Sequence, residues 1–145
     1  MPVTSKMYGL SLQSLASGEI NFGTATIKAL LLDSTYVPDQ DLHRYRASLS
    51  GEVTGTGYTS GGVTLTNKQI TYDGSSNTLS LDADNPSWTG LTVTFRYVVF
   101  YVSTGISSTA SLLSYVDAGA DVVVSGTTLT YTIPSGGFYQ LTAAA

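Results

Sequence analysis

The sequence predicts a mainly β, single-domain protein, a β-sandwich or jelly-roll-like fold with one short N-terminal helix. Three observations point there. Short runs rich in β-branched and aromatic residues recur along the chain, parted by Gly, Pro, Asn and Asp turn signals. Helical spacing is confined to the first residues. A chain of 145 residues is long enough to bury one core unaided, and without cysteine that core holds without disulfides or Cys-bound metal.

The elements are expected in the following order within one domain, 1–145. Met1–Lys6 lacks a core-forming pattern and reads as an N-terminal arm that orders on contact with a partner. Tyr8–Ala16 places Leu12, Leu15 and Ala16 at helical spacing, and Ser17-Gly18 stops the helix. Thr24–Asp33 is an apolar strand bounded by Gly23 and Ser34. Asp39–Arg46 begins with acidic residues after Pro38 and reads as a single turn. Thr64–Tyr72 is a strand, Asp73–Asn77 a hairpin loop, and Thr78–Leu81 its return. Leu91–Ser103 carries the strongest β signal: Leu91, Val93, Phe95 and Tyr97 share one face, and the second half is apolar on both faces, which makes it central. Ser111–Val116, Asp121–Val124, Thr127–Ile133 and Phe138–Thr142 complete seven to nine strands.

Composition narrows the function. Only 11% of residues are charged and the net charge is −4, against about a quarter charged in ordinary soluble domains. A surface so poor in charge suits a protein held against neighbours. Six cations are too few to neutralise a phosphate track, so no nucleic-acid partner is expected. No run approaches the apolar length of a membrane span, and the N-terminus lacks a signal-peptide pattern. Synthesis and assembly in the cytoplasm are expected.

Chemistry-bearing patterns are sparse. His43 is the only histidine, with Asp39 and Asp41 just before it, but no G-x-S-x-G elbow accompanies them. Asp82-Ala83-Asp84-Asn85 offers oxygens but lacks the glycine and closing glutamate of a calcium loop, and reads as a turn before Pro86. Glu19 and Glu52 are the only glutamates, and Trp88 is the lone tryptophan. Gly55-Thr56-Gly57 is not followed by the Gly-Lys-Ser/Thr of a phosphate loop. No catalytic residue, metal site or cofactor is expected, and the chain is read as a non-enzyme.

The stretch Leu42–Gly62 holds the histidine and two of the three arginines within four residues, then a Thr/Gly-rich segment. With Tyr8-Gly9-Leu10-Ser11-Leu12, Ile27–Asp33 with Ser34-Thr35-Tyr36, His43-Arg44-Tyr45, Glu52–Gly62, Leu81–Asp84 with Trp88, and Arg96-Tyr97, it resembles a family of small structural proteins of tailed bacteriophages. The resemblance covers about nine-tenths of the chain. It implies a virion component, and physical reasoning favours a capsid decoration (cement) protein. Such a protein would sit on the major capsid protein, self-associate as a homo-oligomer such as a trimer, and tie capsomers together by avidity. Tail-tube subunits need a long hairpin, and none is clearly legible, so a tail or neck component ranks second. A fibre-associated protein and a carbohydrate-binding β-sandwich follow. The candidate interface residues are His43, Arg44, Tyr45, Arg46, Gly55, Gly57 and Tyr58. Arg44 and Arg46 suit either a partner's carboxylate or an internal pairing with Asp39, Asp41 or Glu52.

Overall fold

The computed structural model describes residues 3–144. Its elements are β1 (Thr4–Met7), α1 (Leu10–Ala16), β2 (Ile27–Leu32), a 3-10 turn at Arg46–Ser48, β3 (Val63–Thr64), β4 (Gln69–Asp73), β5 (Thr78–Asp82), β6 (Ser87–Val102), β7 (Leu112–Thr130) and β8 (Tyr139–Thr142). The strands form a five-stranded sheet ordered β1-β7-β6-β2-β3 and a three-stranded sheet ordered β4-β5-β8, with all pairings antiparallel. The expected mainly β, sandwich-like domain with one short helix is what forms.

The larger core lies between the sheets. Ile27, Ala29 and Leu31 of β2, Leu91, Val93, Phe95, Val98, Phe100 and Val102 of β6, and Leu81 and Tyr139 of the small sheet meet there. Full burial of each such aliphatic or aromatic side chain contributes roughly 1.5–3 kcal/mol. A second, tyrosine-rich cluster occupies the opposite face of the large sheet: Tyr8, Leu30, Leu32, Tyr36, Tyr97, Val99, Tyr101, Leu112 and Tyr115. Burial on both faces explains why β6 reads as continuously apolar, and β6 is central as expected, flanked by β7 and β2.

Several boundaries differ from the sequence reading, each for a local reason. The alternation of β6 is broken by a register shift between Phe95 and Tyr97. This bulge turns Tyr97 into the tyrosine cluster instead of the larger core that takes Phe95. The expected strand Thr64–Tyr72 is two strands in different sheets. Asn67, at φ 52°, turns the chain from one sheet toward the other. Three expected strands between Ser111 and Ile133 are one, β7, because Asp117–Asp121 forms a bulge where a turn was expected. Asp117 Oδ1 accepts the Gly119 N–H at 2.8 Å, and pairing with β6 resumes beyond.

The helix also differs. It starts at Leu10, and its fully buried residues are Ser11 and Ser14, while Leu12 is exposed. Ser11 Oγ donates to the Tyr8 carbonyl and is 2.8 Å from the Tyr139 hydroxyl, so the buried serine is satisfied. At the N-terminus, Thr4–Met7 pairs antiparallel with Asp117–Ser114 of β7. These residues are thus an edge strand of the fold, not the free arm expected, because β7 leaves backbone groups open beside them. Met1 and Pro2 lie outside the described residues. Finally, β6 and β7, of 16 and 19 residues, form a long hairpin closed by the 103–111 loop. A long hairpin that was not legible in the sequence is thus present: its second strand, read as separate short strands, pairs with β6 through four register irregularities.

Candidate functional site

The first part of the Leu42–Gly62 stretch, His43 to Leu49, lies over the tyrosine face of the large sheet, while Glu52–Gly62 runs along β2 and β6 with Val53 and Tyr58 packed against the larger core. The foundation of the first part is a chain of side chains. The Tyr8 and Tyr36 hydroxyls lie 2.9 Å apart, and the Tyr36 hydroxyl lies 2.8 Å from His43 Nδ1. The Asp39 N–H donates to the same nitrogen at 3.3 Å. A backbone N–H can only donate, so Nδ1 accepts, the ring proton sits on Nε2, and Tyr36 donates to Nδ1 while accepting from Tyr8. The Asp39 carboxylate is spent on the N–H groups of Asp41 and Leu42, closing the single turn expected there. Among the described residues no serine hydroxyl bonds His43, so the residues of a Ser–His–Asp arrangement are not brought together.

Arg44 donates from Nε to Ser14 Oγ at 3.1 Å and from its terminal nitrogen to Glu19 at 2.7 Å. Its guanidinium lies over the Tyr45 ring. The Tyr45 hydroxyl and then Arg44 hold the Glu19 carboxyl below its ordinary range. Arg46 pairs with Glu52 at 2.8 Å and covers the Tyr101 ring. The backbone anchors the same segment: Arg46 N–H donates to Ala110 O, Leu112 N–H to Arg44 O, and Ala47 N–H to Ser107 O.

Glu52 is the hub of the second half. Beside Arg46 it accepts the Tyr58 hydroxyl at 2.9 Å and the Gly61 N–H at 2.6 Å. Tyr58 in turn accepts the Leu31 N–H of β2, and Tyr101 donates to the Gly61 carbonyl. Gly55 and Gly57 press on β6: a Cβ would lie 2.2 Å from the Thr92 oxygen at Gly55 and 2.5 Å from the Gly90 oxygen at Gly57.

Of the seven candidate residues, His43, Arg44, Tyr45 and Arg46 lie together, Gly55, Gly57 and Tyr58 lie beside β6 and the larger core, and of the two uses open to each arginine the internal one is seen. Arg46 takes Glu52, while Arg44 takes Glu19, a partner that sequence proximity does not suggest. The close approach of the glycines is to the chain's own β6. What sequence reading missed is the solvent side: Val37 is 76% exposed, Leu42 74% and Ile106 61%. The Asp82–Asn85 turn is internal as well. Asp82 bonds the Ala83 N–H, Asp84 the Thr66 and Asn67 side chains, and Asn85 the Ile133 N–H.

Burial pushes the Tyr36 hydroxyl up to about 12 and Tyr8 further still. A phenol whose folded value lies above its unfolded value near 10 contributes stability that is whole below about pH 10 and lost as pH rises through the folded value. The urea midpoint is thus expected to hold to about pH 10 and fall steeply toward pH 12, with tyrosinate absorbance rising in step with unfolding. Tyr36→Phe is expected to flatten part of that fall. A midpoint unchanged to pH 12 contradicts the buried tyrosine layer.

No family model matches the chain, and no curated protein or solved structure matches it either.

Proposed function

We propose that this chain is a non-enzymatic structural component of a tailed-phage particle, a capsid decoration protein that binds the major capsid protein. The observation that carries the reading is the loop layer over the large sheet. Its two arginines are paired within the chain, as Arg44–Glu19 and Arg46–Glu52. Its exposed tips at Val37, Leu42 and Ile106 are apolar. A layer tied down by hydrogen bonds, its arginines paired and its tips apolar, is suited to docking, where ordered loops lose little entropy on binding. The resemblance to phage structural proteins supplies the partner, and many weak copies on a shell would act by avidity.

The long β6–β7 hairpin favours a second reading, a tail component. Against it, the inner face of the hairpin's outer half, Trp88, Leu91, Val93 and Phe95, is buried in the domain's own core and does not project to wall a tube.

Cosedimentation with mature and expanded capsids of the encoding phage tests the first reading. Binding is expected, weakened at least about tenfold by Val37→Asp with Leu42→Asp. No binding to either capsid form overturns it. Detection of the chain in separated tails and not heads favours the second.

A further inference from the structure

Among the described residues, nothing covers one edge of the three-stranded sheet. All five residues of β4, Gln69–Asp73, are exposed, and among the described residues their only strand partner is β5. Soluble proteins blunt such edges with lysine, proline, bulges or a covering segment. At the two ends of the larger sheet, β1 carries Lys6 and β3 is two residues long. On β4 the rule fails. Lys68, the one cation beside it, turns its Nζ inward to the carbonyls of Phe22 and Ala25. What remains open is Ile70 at 53% and Tyr72 at 60% exposure, on one face by alternation.

The sequence of this edge is complementary to itself. Read antiparallel about Thr71, Gln-Ile-Thr-Tyr-Asp sets Ile70 opposite Tyr72 twice, Gln69 opposite Asp73 twice, and Thr71 opposite Thr71. Apolar meets apolar, an amide donor meets a carboxylate, and no like charges face each other, the cross-strand pairs that stabilise antiparallel sheets. The same face opens onto an apolar groove of about 420 Å³ lined by Leu15, Ile20, Phe22, Ile70, Leu79 and Leu81. A tyrosine placed opposite Ile70 lies at its mouth.

We infer that β4 is a self-association edge, pairing about a two-fold axis with β4 of a second copy, centred on Thr71, so that two three-stranded sheets join into one of six. Tyr72 of each copy covers the groove beside Ile70 of the other. The contact is isologous, as two-fold contacts are, and it makes the free protein a dimer, where the sequence reading offered a homo-oligomer such as a trimer. Five residues a side bury less than a standard interface, so the free dimer is weak, with a dissociation constant on the order of 100 µM. The pairing stands whether or not the particle reading does.

Sedimentation of the full chain across concentration, with cysteine crosslinking, tests it. The chain has no cysteine of its own. Residues facing across an antiparallel pair lie about 4.5–5.5 Å apart at Cα, within disulfide range. Thr71→Cys is therefore expected to form a covalent dimer on mild oxidation, and Ser5→Cys on the β1 edge is not. Ile70→Lys with Tyr72→Lys sets lysine opposite lysine and is expected to weaken dimerisation at least about tenfold. A monomer at all concentrations together with no Thr71→Cys crosslink overturns the pairing. Equal crosslinking at both positions overturns it too, as does a dimer that the double lysine variant leaves intact. If the lysine variant fails to fold, the Thr71→Cys and Ser5→Cys pair decides alone.

Discussion

Phe100→Ala is expected to destabilise the fold by about 3–5 kcal/mol. The ring is fully buried near the C-terminal end of β6. It stacks on Phe138 with centroids 4.7 Å apart and meets Tyr131 at 5.9 Å. Its cross-strand neighbours are Ala29 on β2 and Ser114 on β7, both small, so no adjacent side chain can expand into the space it leaves. Phe138 precedes β8 and bonds the Leu81 carbonyl of β5 through its N–H. The stacked pair is therefore a bolt between the two sheets, and its loss loosens the whole sandwich. Urea unfolding should show a lower midpoint with an unchanged slope, the mark of lost stability without a changed denatured state. Phe100→Leu keeps most of the volume and should lose less than half as much. A midpoint shift worth under about 1 kcal/mol for the alanine variant would show that the core collapses around the gap, against the rigid stacking described.

Phe100 sits where the sequence is easiest to read, and the loop layer where it is hardest. The apolar run Val98–Val102 announces a strand covered on both faces, because no polar side has to be kept for water. Alternation elsewhere carries one bit per residue, and one inserted residue reverses it. That is how Tyr97 leaves the face assigned to it once Arg96 is bulged. The Arg96 side chain is then fixed by Asp117 at 2.9 Å across the bulge, a pairing between strands that no local spacing reveals. The same holds for the candidate contact residues. The shared placement of His43, Arg44, Tyr45 and Arg46 was legible from their run, but Glu19 lies 25 residues before Arg44. Nothing in the local pattern distinguishes an arginine held by its own chain from one left for a partner. In α1 the apolar periodicity suggested a leucine face turned inward, yet the helix lies over hydroxyl and guanidinium partners at Tyr139 and Arg44. Those partners satisfy serines in the interior, so Ser11 and Ser14 take the buried side. Hairpin chemistry at Asp73–Asn77 was legible because it is local: Asp73 caps Ser75, and Asn77 adopts φ 54°.

Gly62→Ala is expected to be the second severe change, at about 3 kcal/mol or more. The residue adopts φ +81°, and an added Cβ would lie 1.8 Å from the Ala29 carbonyl oxygen and 2.7 Å from the Leu30 Cα. Both atoms belong to β2, which is held between β6 and β3, so the loop must move and not the sheet. Movement at Gly62 displaces its neighbour Gly61. The Gly61 N–H bonds Glu52 and its carbonyl accepts from Tyr101, so the strain passes directly into the Glu52 hub. Two other glycines separate the causes. Gly105 has φ +83° but open space around its Cβ, so Gly105→Ala bears backbone strain alone, about 1 kcal/mol. Gly74 lacks both features, and Gly74→Ala should fall within about 0.5 kcal/mol of the parent. Thermal and urea unfolding of the three variants should rank Gly62, Gly105, Gly74 in decreasing loss, and amide exchange at Gly61 should accelerate only in the first. A Gly62→Ala protein as stable as Gly105→Ala would mean that the loop gives way cheaply at β2. The layer would then be a flexible flap and not the rigid platform on which the docking reading depends.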